Sequence, residues 1–254
     1  MPVSFRLFRL RKFPDQPAKP GTAVFTRDER RLIDDVPPRT FVTSSDPEEE
    51  LGIEVYLSRH EMLRRLAIRT PTGEDFDSFY RRDRFPLIVS RDHWLLACQC
   101  SSVVAKNLVD TLNEAYPISF RADYLAIDFD RLRPKIKEFY GIWLSQIGQP
   151  NISSLAMFGD GVDKSALYKQ LESLGHASSV QIRYMVNGRT FHVILSRRGT
   201  ITFPQPASDR EHLSRALSIY HDLLDGTLVE EDSSRTAKEK REAAKRDARR
   251  SGHR

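Results

Sequence analysis

The sequence predicts an α+β fold in which amphipathic helices pack on a mixed, mainly antiparallel sheet. Two alternating apolar runs flank Asn187-Gly188, a dipeptide typical of a tight hairpin turn because both turn residues must adopt positive φ. Several amphipathic segments follow strand-like runs and have serine or aspartate just before them, as helix starts do. Strand-like and helix-like segments alternate between 120 and 180, which predicts some parallel pairing.

The hairpin at 180–195 has a register that its two-residue turn fixes, and its large apolar residues then fall on one side. The expected facing pairs are Val186 with Arg189, Tyr184 with Phe191, Ile182 with Val193, and Val180 with Leu195. The opposite face is mixed and is open to solvent or to a partner. A third strand at 201–203 and a helix begun by Ser208 and ended by Gly226 complete this unit.

The first half of the chain is less regular. Residues 4–13 alternate apolar and basic side chains over part of their length, which predicts a strand with one buried face. Short strands are expected at 53–57 and 62–68, although 61–66 suits a helical turn equally well. Residues 85–98 have the pattern of a hairpin, and Ser101 or Ser102 begins an amphipathic helix.

Two strands and two helices are expected in the third quarter of the chain. The strands are 124–129 and 152–158, and the helices are 130–148 and 163–175, begun by Asp130 and Asp163. The first of these helices would carry Tyr140 and Trp143 on its apolar face, because their spacing is helical.

Two segments align without a gap and suggest a degenerate internal duplication. They read Phe85-Pro-Leu-Ile-Val-Ser-Arg-Asp and Phe191-His-Val-Ile-Leu-Ser-Arg-Arg, and each leads through a strand and a serine into an amphipathic helix. A duplication would give two strand-strand-helix halves in pseudo-twofold relation. The alternative is convergence, since hairpin-then-helix units reach such patterns independently.

The 254 residues are expected to form three regions. These are a strand- and loop-rich N-terminal region at 1–82, an α+β body at 83–226, and a charged, basic, disordered tail at 227–254. No run of about 18 apolar residues occurs, so no membrane association is expected. Only two cysteines are present, too few for a disulfide framework, which favours a reducing, cytoplasmic location.

Positive charge is concentrated at the two ends of the chain. The net charge is +5, but residues 233–254 hold nine Lys or Arg against three acids, and residues 1–20 hold five against one. The intervening body therefore carries a net charge of −5. This distribution argues against a uniformly basic surface that coats nucleic acid, and it places phosphate contacts on the tail or on local patches.

The tail is the main predicted nucleic-acid contact. It has no apolar residue larger than Ala and builds no core, whereas its cations would release counterions from DNA or RNA. A solvated end that only aids solubility is the alternative. The predicted contacts are Arg235, Lys238, Lys240, Arg241, Lys245, Arg246, Arg249 and Arg250 in the tail, and Arg183, Arg189, His192, Arg197 and Arg198 around the hairpin tips.

Two groups of residues resemble metal sites in composition. His93, Cys98 and Cys100 are too few for a zinc site, which needs about four converging ligands, so buried apolar cysteines explain them better. Asp128 and Asp130 fall on one side at a strand end, as in two-carboxylate metal sites. Helix capping by Asp130 and solvation of Asp128 are the alternative.

A glycine-rich segment at 158–165 lies where a phosphate-binding loop would. That loop requires Gly directly before Lys-Ser, and Asp163 holds this place, so a tight turn with an aspartate cap is expected. No nucleophile elbow, dinucleotide-binding glycine pattern or HExxH motif occurs. We therefore assign no catalytic residue, metal or cofactor from the sequence.

These features favour a non-enzymatic, cytoplasmic protein that associates with DNA or RNA through its tail, or that serves as an adaptor for a protein partner. Two alternatives stay open. One is a metal-dependent nuclease or phosphohydrolase in which Asp128, Asp130 and Asp160 assemble in the fold. The other is a structural subunit of a larger complex.

Overall fold

A large antiparallel sheet dominates the computed structural model of the chain, which describes residues 2–17, 19–28, 39–45, 51–64, 67–77, 79–137, 139–149, 152–172, 175–186 and 188–231. The strands are β1 (Val3–Lys12), β2 (Ala23–Asp28), β3 (Arg39–Ser44), β4 (Glu54–Arg64), β5 (Ile68–Arg69), β6 (Asp75–Phe76), β7 (Phe79–Ser90), β8 (Leu95–Cys98), β9 (Arg121–Ile127), β10 (Gly141–Gln149), β11 (Ile152–Phe158), β12 (His176–Val186), β13 (Arg189–Ser196), β14 (Thr200–Phe203) and β15 (Leu228–Glu230). The α-helices are α1 (Ser102–Ala115), α2 (Phe129–Leu132), α3 (Ala166–Glu172) and α4 (Asp209–Ile219), the last continued by a π-helical turn at Tyr220–Leu224.

Strand β1 lies at the centre of the main sheet. The strand order is β11-β10-β12-β13-β14-β1-β8-β7-β4-β3-β2, while β9 pairs with both β1 and β15. Strands β5 and β6 form a separate small sheet. Every pairing among the described strands is antiparallel, so the parallel pairs expected between 120 and 180 are not found there. The sheet dominates over its few helices, and β7 runs without a break through position 82.

Both faces of β1 are buried. Phe5 and Leu7 enter a core that also contains Leu213 and Ile219 of α4, whereas Phe8 enters a second core on the opposite face. Helix α1 packs in the second core through a buried stripe formed by Val104, Ala105, Leu108, Val109 and Leu112. The prediction of one buried face for residues 4–13 is therefore wrong, because each face of the strand packs against a different helix.

The hairpin at 180–195 is confirmed residue by residue. All four expected facing pairs occur between β12 and β13, and β14 follows as the third strand. Ser208 begins α4, since its hydroxyl accepts a hydrogen bond from the Glu211 backbone N–H. Of the two predicted starts for the first amphipathic helix, Ser101 and Ser102, the structure shows Ser101, which caps α1.

The helix predicted at 130–148 is wrong. Asp128, and not Asp130, caps the short helix α2, and a 3-10 turn at Arg133–Lys135 follows. Residues 141–149 form strand β10, which pairs with β11 on one side and β12 on the other.

The start of α3 also differs from its prediction. Ser165 caps this helix by accepting a hydrogen bond from the Tyr168 N–H at 3.1 Å. Asp163 is instead buried, and its carboxylate accepts a hydrogen bond from the Phe139 N–H at 3.1 Å. The tight turn is confirmed, because Gly161 adopts φ of 61° before a 3-10 turn at Val162–Lys164.

No helix in the described part of the chain combines the length and apolar character needed to cross a membrane.

Candidate nucleic-acid interface

The outward face of strands β10 to β13 carries aromatic and basic side chains next to one another. We call it the aromatic-basic face and define it by Tyr140, Trp143, Phe158, Gln181, Arg183 and His192. The other face of these strands contributes Ile142, Val180, Ile182 and Val193 to the core beside α4. The period of two along each strand thus separates a core side from an exposed side.

Strand register brings the members of this face together. Gly141 of β10 lies between Phe158 of β11 and Gln181 of β12. A Cβ on Gly141 would come within 2.9 Å of the Phe158 ring. Glycine at this position therefore lets the ring lie across the neighbouring strand.

Tyr140, Arg183 and His192 form the centre of the face. Arg183 and His192 are directly opposite on β12 and β13, so their side chains share one face. The guanidinium carbon of Arg183 lies 4.2 Å from the Tyr140 ring centroid, as in a cation–π contact. The Tyr140 and His192 ring centroids are 5.1 Å apart, and Gln181 hydrogen-bonds the His192 Nδ1 at 3.1 Å. Each side chain is thereby held in place by another member.

Trp143 and Phe158 form the outer part of the face. Their ring centroids are 5.0 Å apart at an interplanar angle of 87°. Phe158 is 60% exposed, and Met185 farther along β12 is 68% exposed. Large apolar side chains at such exposure offer surface that a flat ligand would remove from water.

An acid borders this face. Asp160 follows β11 and makes an ion pair with Arg183 at 3.1 Å. Both partners are well exposed, so the pair contributes little to stability and is open to competition by another anion.

The five cations predicted around the hairpin tips do not form one patch. Arg183 and His192 are in the aromatic-basic face, and Arg189 is exposed at the β12-β13 turn. Arg197 and Arg198 lie in the β13-β14 turn at the other end of β13, roughly 27 Å from Arg189 at 3.4 Å per residue. Arg197 there donates a hydrogen bond to the Ala177 carbonyl at 3.0 Å.

The predicted tail contacts lie outside the described residues. These are Arg235, Lys238, Lys240, Arg241, Lys245, Arg246, Arg249 and Arg250.

Two of the three acids of the metal hypothesis have other partners, and the third is exposed. Asp128 caps α2 by accepting hydrogen bonds from the Asp130 and Arg131 N–H groups. Asp130 is an exposed residue of that first turn, and Asp160 pairs with Arg183. In the part of the chain that the structure describes, no three His, Cys, Asp or Glu residues gather as metal ligands would.

The two cysteines lie in and beside the core that surrounds α1. Cys98 is fully buried and Cys100 partly so, and both are free thiols. Burial raises the pKa of each thiol, which disfavours the nucleophilic thiolate. His93 contacts the rings of Tyr220 and His221.

The sequence pattern predicts Arg183 and His192 as contacts but not the aromatic members, because the spacing of Tyr140 and Trp143 predicts a helix. A signal was present. Gly148-Gln149-Pro150-Asn151 contains turn residues between two apolar runs, which is the pattern of a hairpin.

No protein-family model matches the chain, and no curated protein is similar to it in sequence.

Proposed function

We propose that this protein binds single-stranded nucleic acid without catalysing a reaction, using the aromatic-basic face for bases and the tail for phosphates. One observation carries the proposal. The exposed Phe158 ring and the half-buried Tyr140 and Trp143 rings lie with a guanidinium and an imidazole on one sheet face, in two contact groups with separations of 4.2 to 5.1 Å.

Stacking explains how such a face takes bases. Every base offers a π surface, and each base stacked on an aromatic side chain contributes about 1–3 kcal/mol, as measured by alanine substitution. Bases in a duplex are already stacked and are not available to a flat surface. The face therefore favours single strands over duplexes, with little dependence on sequence.

The tail supplies a different kind of affinity. Its nine cations contact phosphates irrespective of sequence, and each phosphate neutralised on a single strand adds about 0.7 to the slope of log affinity against log salt. The body has a net charge of −5, so most long-range attraction comes from the ends of the chain. We expect this partnership with DNA or RNA to operate in the cytoplasm, in line with two free cysteines.

Fluorescence anisotropy with labelled oligothymidine, oligouridine and a duplex of equal length tests the proposal. We expect Phe158→Ala to weaken single-strand binding by about 1–3 kcal/mol, or roughly 5- to 150-fold. Leu167→Ala is the matched control, because Leu167 is 55% exposed on α3 and lies outside the face. Equal binding of single strand and duplex, unaffected by Phe158→Ala, would contradict the proposal.

Charge variants separate the two contributions. Asp160→Asn removes the acid beside Arg183 and should strengthen binding, whereas Arg183→Gln should weaken it. Truncation after residue 232 should lower the salt slope and leave the effect of Phe158→Ala unchanged. The nuclease alternative makes the opposite forecast for Asp160→Asn, namely loss of a Mg²⁺- or Mn²⁺-dependent cleavage of the oligonucleotide.

A role in protein assembly is the second candidate. The edge strand β11 favours it, because this strand is uncharged from Ile152 to Phe158 and exposes most of its residues. An adaptor or structural subunit would use such an edge to add a strand from a partner.

We also propose that the fold arose by duplication of a strand-strand-helix unit. Two arrangements support this origin. The units β7-β8-α1 and β13-β14-α4 lie on opposite sides of β1, to which β8 and β14 both pair. Each unit is followed by a further strand, β9 or β15, and these two strands pair with each other.

A further inference from the structure

Strand β11 is an outer edge of the main sheet. It pairs with β10 on one side, and no described strand pairs with its other side. The backbone N–H and C=O groups on that side are therefore available to another strand. Such edges are the usual place where sheets of two molecules join.

Charged side chains on an edge strand discourage pairing with a second strand. Strand β11 reads Ile-Ser-Ser-Leu-Ala-Met-Phe and contains no charged residue, no proline and no glycine. Its sequence therefore lacks the usual protection against edge-to-edge association.

The core is also incompletely covered at this edge. Leu155 and Met157 pack against the core beside α4 but are only partly buried. On the other face, Ile152 is 47% exposed and Phe158 is 60% exposed. A strand added to β11 would bury apolar surface on both faces of the sheet.

We propose that β11 pairs in antiparallel orientation with β11 of a second copy of the chain. A two-fold axis at Leu155 sets Ile152 of one copy opposite Phe158 of the other, and Ser154 opposite Ala156. Every cross-strand pair is then uncharged, so a second copy meets no like-charge repulsion, as an isologous interface requires. The two aromatic-basic faces become continuous across the axis.

The size of this contact predicts a reversible dimer. One strand pair is small beside the roughly 1,200–2,000 Å² that stable interfaces bury, so association should depend on protein concentration. The full chain without nucleic acid is the sample for the test, and sedimentation equilibrium over a concentration series is the measurement. We expect a shift from the mass of one chain towards twice that mass.

Ser154→Lys is the decisive variant. Ser154 is exposed on β11, and the substitution brings two positive charges together near the axis while leaving the core untouched. It should keep the chain a monomer across the series, whereas Thr190→Lys, which adds the same charge at an exposed site on β13, should leave dimerisation unchanged.

Circular dichroism spectra that match the wild type confirm that both variants are folded. A wild-type protein that stays a monomer throughout, or a Ser154→Lys variant that dimerises as the wild type does, overturns the proposal. Because nucleic acid is absent, neither outcome depends on whether the aromatic-basic face binds single strands.

Discussion

His60 lies in a polar ladder that crosses three neighbouring strands. Its Nδ1 is 3.0 Å from the Thr40 hydroxyl on β3, and Asp83 of β7 is directly opposite it. The imidazole is only 4% exposed, and among the described residues neither its Nε2 nor the Asp83 Oδ2 has a hydrogen-bond partner. Burial lowers the pKa of His60, and the nearby carboxylates of Asp83 and Glu61 oppose this effect without reversing it.

The lowered pKa predicts a loss of stability in mild acid. Below the ordinary histidine pKa of about 6.5 the unfolded chain takes up a proton that folded His60 does not. The free energy of unfolding therefore falls as the pH drops below that value. The fall is complete once the pH is below the pKa of His60 in the folded protein. Urea unfolding at a series of pH values should show a smaller decline for His60→Gln than for the wild type.

His221→Gln provides the control for that measurement, since His221 is exposed. Its profile should follow the wild type. Parallel profiles for His60→Gln and the wild type would show that His60 protonation is not linked to folding.

Arg6 is a residue whose burial the local sequence pattern does not predict. The alternation at 4–13 places it on a solvent face, yet it is 3% exposed and burial lowers its pKa. Its Nη2 lies 3.4 Å from the Glu231 carboxylate, and its Nε and Nη1 have no hydrogen-bond partner in the part of the chain that the structure describes. Because Glu231 is 225 residues away in sequence, nothing near Arg6 in the chain predicts this burial.

Hairpins are the elements that the sequence predicts best, because the turn itself specifies the register. Gly188 and Gly199 both adopt positive φ, 73° and 68°, in the turns that join β12 to β13 and β13 to β14. Local residue chemistry is enough here, since only glycine takes up this conformation without strain.

The same two glycines differ in their surroundings. A Cβ at Gly188 would meet nothing within 4 Å, whereas one at Gly199 would lie 2.5 Å from the Leu125 carbonyl oxygen. Gly188→Ala should therefore cost about 1–2 kcal/mol through backbone strain alone. Gly199→Ala should cost more, because the backbone of β9 has to move. Urea unfolding measures both losses, and equal losses would show that the contact with β9 relaxes freely.

Strand β10 was predicted as a helix for an identifiable reason. Ile136, Tyr140 and Trp143 recur at helical spacing, and short apolar runs suit either period. Pairing with β11 and β12 on both sides decides the outcome in favour of a strand. The sequence therefore does not predict the aromatic part of the candidate face, while it does place Arg183 and His192 together, because they lie on the confirmed hairpin.

At the scale of the whole molecule, the two cores lie on opposite faces of the same central strands. In β8, Leu95 and Ala97 face the core beside α4, whereas Leu96 and Cys98 face the core around α1. Strands β1 and β7 divide their side chains between the same two cores. These central strands come together through pairing between segments that are far apart in sequence, such as Ser4 with Thr202. No local sequence pattern contains such a pairing.

Because the two cores share these strands, we expect them to unfold together. Leu108 on α1 and Leu195 on β13 are both fully buried, each in a different core. Replacing either with alanine should cost about 2–5 kcal/mol. If the molecule unfolds as one cooperative unit, Leu108→Ala should lower the unfolding midpoint of the half beside α4 as much as that of the half around α1, which contains Leu108.

Trp143 provides the reporter for the half beside α4, because it lies on β10 and the chain has only one other tryptophan, Trp94. In a Trp94→Phe background, urea unfolding of Leu108→Ala should give the same midpoint by Trp143 fluorescence as by far-ultraviolet circular dichroism. Leu195→Ala should give the same agreement. If Leu108→Ala leaves the urea midpoint measured by Trp143 fluorescence unchanged, the molecule instead consists of two independently folding halves, and β1 belongs to only one of them.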